Sequence, residues 1–169
     1  MKFGISLPTI GPLAAGPGAL EGQLTIAQRA EALGFESLWA PDHVVIPTTI
    51  TSRYPYNDTG KLPLPPNTPF LEPLAALGVI AGATKRVRLG TYVLVLPHRN
   101  PIVTAKMWAT LDVMSGGRMM LGAGIGWMEE EINLLGAPYK KRGALSDEYL
   151  RAMRELWTKP DPQFNGRFV

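Results

Sequence analysis

Three times along this chain an apolar helical stretch stops at a tight polar or glycine-bearing turn and passes straight into a short apolar run. Few other patterns restrict the available folds as much. The apolar runs are KFGISLP (2–8), ESLWA (36–40), VRLGTYVLVLP (87–97) and RMMLGAG (118–124). Between and after them lie four stretches with helical spacing. The first, 20–35, carries Leu20, Leu24 and Ala27 on one side, extended by Ile26, Ala30 and Leu33, and stops at Gly34. The second, 70–84, has Pro73 in its first turn, where a missing N–H costs nothing. The third, 101–115, starts on Pro101 and ends before Gly116-Gly117. The fourth, 146–158, has Ser146 as the expected N-cap, with Asp147 and Glu148 in its first turn. The resulting order is βαβαβαβα. Apolar strands alternating with helices predict an α/β fold whose parallel sheet is covered by helices.

Composition narrows the function. The chain has 169 residues, 46% of them hydrophobic, enough for one buried core. A net charge of +3 with interspersed acids lacks the clustering of a nucleic-acid surface. There is no cysteine, hence no disulfide framework and no thiolate site. Residues 3–20 are uncharged but contain Pro8, Pro12 and Pro17, which no spanning helix tolerates. These features predict a cytoplasmic protein with no membrane and no nucleic-acid partner. No Gly-x-Ser-x-Gly elbow, P-loop or paired-histidine spacing occurs, so neither that nucleophile nor a metal is expected. The run LGAGIGW (121–127) is not a dinucleotide fingerprint. Trp127 stands where the third glycine should be, and Lys140-Lys141-Arg142 where the ribose-binding acid should be.

Ligands of parallel α/β sheets bind at the carboxyl ends of the strands. Those ends are Pro8-Thr9, Asp42-His43, Pro97-His98-Arg99 and Gly124-Ile125-Gly126-Trp127. Asp42-His43 is the sharpest pair, because an imidazole exchanges protons near neutral pH and a neighbouring carboxylate can hold a polar ligand group. A turn cap beside a packed histidine is the competing reading. For His98, capping and loop anchoring suffice. The glycines at 122, 124 and 126 either let a flat ring approach the backbone or only permit tight strand–helix packing. Trp127 is expected to wall the ring space or a substrate pocket. The acids 129–131 start a helix in agreement with its dipole. Residues 41–69 form an unusually long strand-to-helix connection; its Pro and Thr content fits a disordered insert, whereas Val44, Val45, Ile46, Tyr54 and Tyr56 favour a packed functional lid. Arg53, Tyr54 and Tyr56 point to an aromatic or anionic substrate.

The segments SLWAPDHVVIP, LGTYVLVLPHRNP, ATLDVMSGGRMMLGAGIGW and RGALSDEYLRAMRELW resemble the bacterial luciferase-like monooxygenase superfamily, and most closely its branch dependent on the deazaflavin coenzyme F420. The resemblance runs from residue 1 to about 169. It implies a (β/α)8 TIM barrel with the cofactor at the strand mouths. In that setting Asp42 contacts the cofactor and His43 is the catalytic proton donor or polar anchor. A non-prolyl cis peptide behind the ring maps to Tyr92-Val93, and Gly124 and Gly126 lie near the ring. Trp127 and Tyr54 are expected to line the substrate pocket. Some sugar-phosphate dehydrogenases of the branch carry a glutamate base where Trp127 stands, so their substrate is not carried over.

Relatives have eight strands and this chain supplies four. The expectation is therefore a single incomplete domain, 1–169, forming the N-terminal half of a barrel, with an insertion loop at 41–69 and FNGRFV as the start of a small hairpin. The missing half would help hold the cofactor's phosphate tail. The expected activity is hydride transfer between coenzyme F420 and a small-molecule substrate, in a homo-oligomer. One alternative is an FMN-dependent monooxygenase on the same fold. Another is a non-catalytic half-barrel serving as an interaction piece.

Overall fold

The computed structural model describes residues 1–65 and 67–169. Its strands are β1 (Gly4–Ser6), β2 (Ser37–Ala40), β3 (Arg88–Thr91), β4 (Leu94–Val95), β5 (Met119–Met120) and β6 (Ala123–Gly124). Its helices are α1 (Ala19–Ala32), α2 (Pro73–Ala83), α3 (Pro101–Ser115), α4 (Glu129–Leu134) and α5 (Arg142–Thr158). The described residues fall into two compact units. The first is Met1–His43, Thr68–Leu94 and Met107–Ala123; the second is Val44–Asn67, Val95–Lys106 and Gly124–Val169.

The first unit holds a parallel sheet in the order β1-β2-β3-β5. Strands follow one another without the reversal that marks doubly wound sheets, as in a (β/α)8 barrel. The α/β parallel fold expected from the sequence is the fold observed. Register pairs Ile5 with Leu38 and Leu38 with Leu89. Leu38 and Leu89 are fully buried, as are Leu77 and Ile80 of α2, which packs on β2 and β3. Each such side chain contributes roughly 1.5–3 kcal/mol relative to leaving it exposed.

The opposite face carries Trp39. A Cβ on Gly4 would sit 2.5 Å from its Nε1, and one on Gly90 2.5 Å from its Cζ3. The indole thus fills space that side chains of the neighbouring strands would otherwise take, and its N–H donates to Ser37 Oγ at 2.8 Å.

Three expectations are corrected. The run 87–97 is not one strand. It breaks after Thr91, resumes as β4, and ends in a 3-10 turn at Leu96–His98. The run 118–124 also breaks, between β5 and β6. The cause is a close approach: the Thr91 hydroxyl and the Leu94 N–H both donate to Gly122 O, at 2.9 and 2.7 Å. A Cβ at Gly122 would lie 2.0 Å from the Thr91 carbonyl oxygen. Finally, Ser146 is not an N-cap. The last helix begins at Arg142, directly after a 3-10 turn at Tyr139–Lys141, and Ser146 is buried inside it. The earlier start brings Leu145 into a core with Ile132 and Ala137, flanked by Tyr139, Tyr149 and Phe168.

This core belongs to the second unit, which also holds the long connection from Val44 to Asn67. No helix among the described residues is long and apolar enough to cross a membrane.

Candidate functional site

Within the first unit, the strands bring Asp42, His43, Tyr92 and Val93 to their carboxyl ends. Asp42 follows β2 and is 4% exposed, while His43 is half-buried. The His43 ring meets Phe70 edge-on, with centroids 5.3 Å apart and planes at 79°. Phe70 is placed by the mouth of β1. It forms an antiparallel bridge with Ile10, the Leu71 N–H donates to Thr9 O at 2.9 Å, and the Gly11 N–H donates to Pro69 O at 2.9 Å.

Tyr92 and Val93 follow β3, and the peptide between them is cis, as the family resemblance implies. The Tyr92 N–H donates to Ala40 O at 3.0 Å, which ties this turn to the end of β2. The Tyr92 hydroxyl is 2.8 Å from Ser6 Oγ at the end of β1. Tyr92 and Val93 are 46% and 40% exposed, an apolar and aromatic surface directly at a strand end.

Within the second unit, Tyr54 and Trp127 meet, with centroids 5.2 Å apart and planes at 79°, and Tyr56 stacks edge-on against Tyr54 at 5.4 Å. The Trp127 carbonyl accepts from the Tyr139 hydroxyl at 3.2 Å. Gly124 lies in β6. Gly126 has φ +75°, and a Cβ there would meet Val95 Cγ1 at 2.7 Å and Ile132 Cδ1 at 2.9 Å, so tight packing already requires this glycine.

Of the residues expected to pack the long connection, Val45, Ile46 and Tyr54 are half-buried, while Val44 and Tyr56 are exposed. Its backbone is also captured by two acids of α4. Glu131 Oε1 accepts from the N–H groups of Val44 and Val45 at 2.7 and 3.0 Å. Glu130 accepts from the Thr51 and Ser52 N–H groups at 2.6 and 3.0 Å and from both their hydroxyls. Burial alone would push the Glu130 carboxyl up, but the Thr51 and Ser52 hydrogen bonds outweigh it and bring its pKa down to about 2. Glu131 is also 3.6 Å from His98 Nε2, with both side chains buried. This agrees with an anchoring role for His98.

In the sequence these acids stand out only through the helix dipole. The spacing of Met128, Glu131 and Ile132, at i, i+3 and i+4, is a further signal, since it places Glu131 on the apolar side that the structure buries.

A family model for luciferase-like monooxygenases matches residues 1–169. The chain belongs to this family. It spans about half the length of the curated relatives it matches. An F420-dependent glucose-6-phosphate dehydrogenase of Amycolatopsis mediterranei (strain U-32) is 35% identical over 146 residues, which cover 84% of this chain and 39% of that protein. Among solved structures, the monooxygenase RslO1 from Streptomyces bottropensis superposes with a TM-score of 0.77 at 28% identity, covering 100% of this chain and 46% of that one. An F420-dependent secondary alcohol dehydrogenase in complex with an F420-acetone adduct gives a TM-score of 0.70 at 27% identity, with the same coverages. This member of the luciferase-like family thus resembles both deazaflavin-dependent dehydrogenases and a monooxygenase.

Proposed function

We propose that this chain forms part of an oxidoreductase that moves hydride between coenzyme F420 and a small organic substrate, with His43 as its proton-handling residue. The observation that carries this reading is the position of Asp42-His43. The pair leaves the carboxyl end of a parallel strand, with the carboxylate buried and the imidazole half-buried. The resemblance to two F420-dependent dehydrogenases supports the choice of coenzyme.

The residues at these strand ends fit a flat conjugated ring. Tyr92 and Val93 offer an exposed apolar surface, and the Tyr92 and Ser6 hydroxyls offer polar contacts beside it. In the first unit, Asp42, Tyr92 and Val93 would hold the cofactor in this reading. Within the second unit, Gly124 and Gly126 are the proposed points of backbone approach to a ring, and Trp127 and Tyr54 the proposed substrate contacts. When bound, the deazaflavin supplies two-electron hydride chemistry that no side chain here can provide. His43 holds or releases the matching proton at an imidazole nitrogen, and its edge contact with Phe70 restricts the ring's orientation.

In F420-reduction assays of the whole oxidoreductase with its cognate substrate, His43→Ala should lower turnover by ~10²-fold or more with little change in melting temperature. Unchanged turnover would rule His43 out, and a collapse of stability would reassign it to packing. The likeness to RslO1 and the family's monooxygenase name favour a second reading, oxygenation, with FMN as the coenzyme proposed for it. Substrate-dependent oxygen consumption with reduced FMN, absent with reduced F420, would select it.

A further inference from the structure

Glu131 is 1% exposed, and a buried carboxylate persists only where its oxygens are well satisfied. Both its oxygens are engaged. Oε1 takes the N–H groups of two successive residues, Val44 at 2.7 Å and Val45 at 3.0 Å, and Oε2 lies 3.6 Å from His98 Nε2. The carboxylate itself sits on a fixed base, because Ile132 on the same helix and Met128 at its N-cap are 0% and 1% exposed.

The segment it captures has no regular structure to hold its near end, the Glu130 anchor lying farther along at Thr51 and Ser52. The Val44 side chain is 46% exposed, and residues 44–52 form neither helix nor strand. The Val44 N–H belongs to the same planar peptide as the carbonyl of His43. Holding that N–H therefore holds the peptide plane leaving His43 and limits its backbone rotation. Phe70 limits the imidazole itself. An imidazole restrained through both its backbone and its ring is preorganised for proton transfer.

We propose that Glu131 is a positioning residue that acts through the Val44–Val45 backbone to fix His43. This rests on the reading of His43 given above. Glu131→Ala removes the acceptor, whereas Glu131→Gln keeps a carbonyl oxygen able to accept both bonds. Hydrogen exchange by NMR should show the Val44 and Val45 amides losing protection by ~10-fold or more in Glu131→Ala, with most of it restored in Glu131→Gln. The amides of β1, β2 and β3 should keep their protection. In turnover of the whole oxidoreductase, Glu131→Ala should lose ~10- to 10²-fold in kcat with KM within about twofold, and Glu131→Gln should recover much of the loss. Combined with His43→Ala, the Glu131→Ala loss should largely vanish, as expected of two residues acting as one unit.

Unchanged exchange at Val44 and Val45 would overturn the proposal. So would additive losses in the double variant, or deprotection spread across the sheet. Altered exchange with full turnover in Glu131→Ala would remove the positioning role alone. Full turnover in His43→Ala would remove the functional reading, and the positioning of a catalytic imidazole with it.

Discussion

At the scale of single residues, the acids of α4 illustrate how a few hydrogen bonds fix a segment without regular structure. Glu130 has an ordinary pKa of 4.5 and is held at about 2, since the bonds from Thr51 and Ser52 outweigh its burial. A carboxyl whose pKa is depressed on folding contributes stability in full above its unfolded value and loses it as pH falls through the folded one. The anchor at Thr51–Ser52 should thus be intact above about 4.5 and released toward about 2. The Thr51 and Ser52 amide chemical shifts should titrate near the lower value and stop titrating in Glu130→Gln. A midpoint at the ordinary value would show that the bonds do not form. Gly122 offers a steric test of the same kind. An added Cβ would stand 2.0 Å from a backbone oxygen that cannot swing aside, whereas nothing lies within 4 Å of a Cβ on Gly143 in α5. Gly122→Ala should destabilise by ~2 kcal/mol or more. Gly143→Ala should be neutral or stabilising by up to ~1 kcal/mol. Equal effects in urea unfolding would contradict the close approach at Gly122.

At the scale of elements, Arg118 joins two helix ends. Its guanidinium donates to Ser115 O, the last carbonyl of α3, at 2.6 Å. It also donates to Ala81 O in the last turn of α2 at 2.8 Å, and to Thr84 Oγ1, Thr84 O and Val87 O at 2.9–3.2 Å. Terminal helix carbonyls lack intrahelical partners and carry the negative end of the dipole, so a buried cation suits them. Arg118→Met keeps the apolar stem and removes all five bonds. It should cost at least ~2–3 kcal/mol in urea unfolding, and a loss below ~1 kcal/mol would show that the carbonyls find other partners. None of this was legible in the sequence, because Arg118 and Ala81 are brought together only by the folded sheet. What was legible rested on local period: the apolar helical faces, the apolar strands, and Pro101–Ser115 with its bounds. The breaks in the third and fourth strands were not legible, since they follow from Thr91 meeting Gly122 across the sheet. Ser146 misled because its type suits a cap, while Leu145 beside it needs burial and draws the helix four residues earlier. At the candidate site, Asp42 and His43 were readable from their place after a strand. Phe70, which orients the imidazole, lies far along the chain and was not.

At the scale of the whole molecule, the sheet has two outer strands. Among the described residues, in the order β1-β2-β3-β5, β1 pairs only with β2 and β5 only with β3. Each therefore has a side whose backbone N–H and C=O groups meet no other strand of this sheet, and such edges template association with further chains. An apolar side chain beside one of these strands is open: Phe3, just before β1, is 61% exposed. The chain also spans only about half the length of its curated relatives. These observations predict that the 169-residue chain, purified alone, self-associates and binds F420 or FMN only weakly. Size exclusion with light scattering should give masses above the 18.4 kDa of one chain, rising with concentration. Replacing an edge residue with a charged one, as in Phe3→Lys, should lower them, because a charge on an edge strand opposes pairing. A concentration-independent mass of 18.4 kDa, together with micromolar cofactor affinity, would mean that the open strand sides do not template association and that these residues suffice to hold the cofactor.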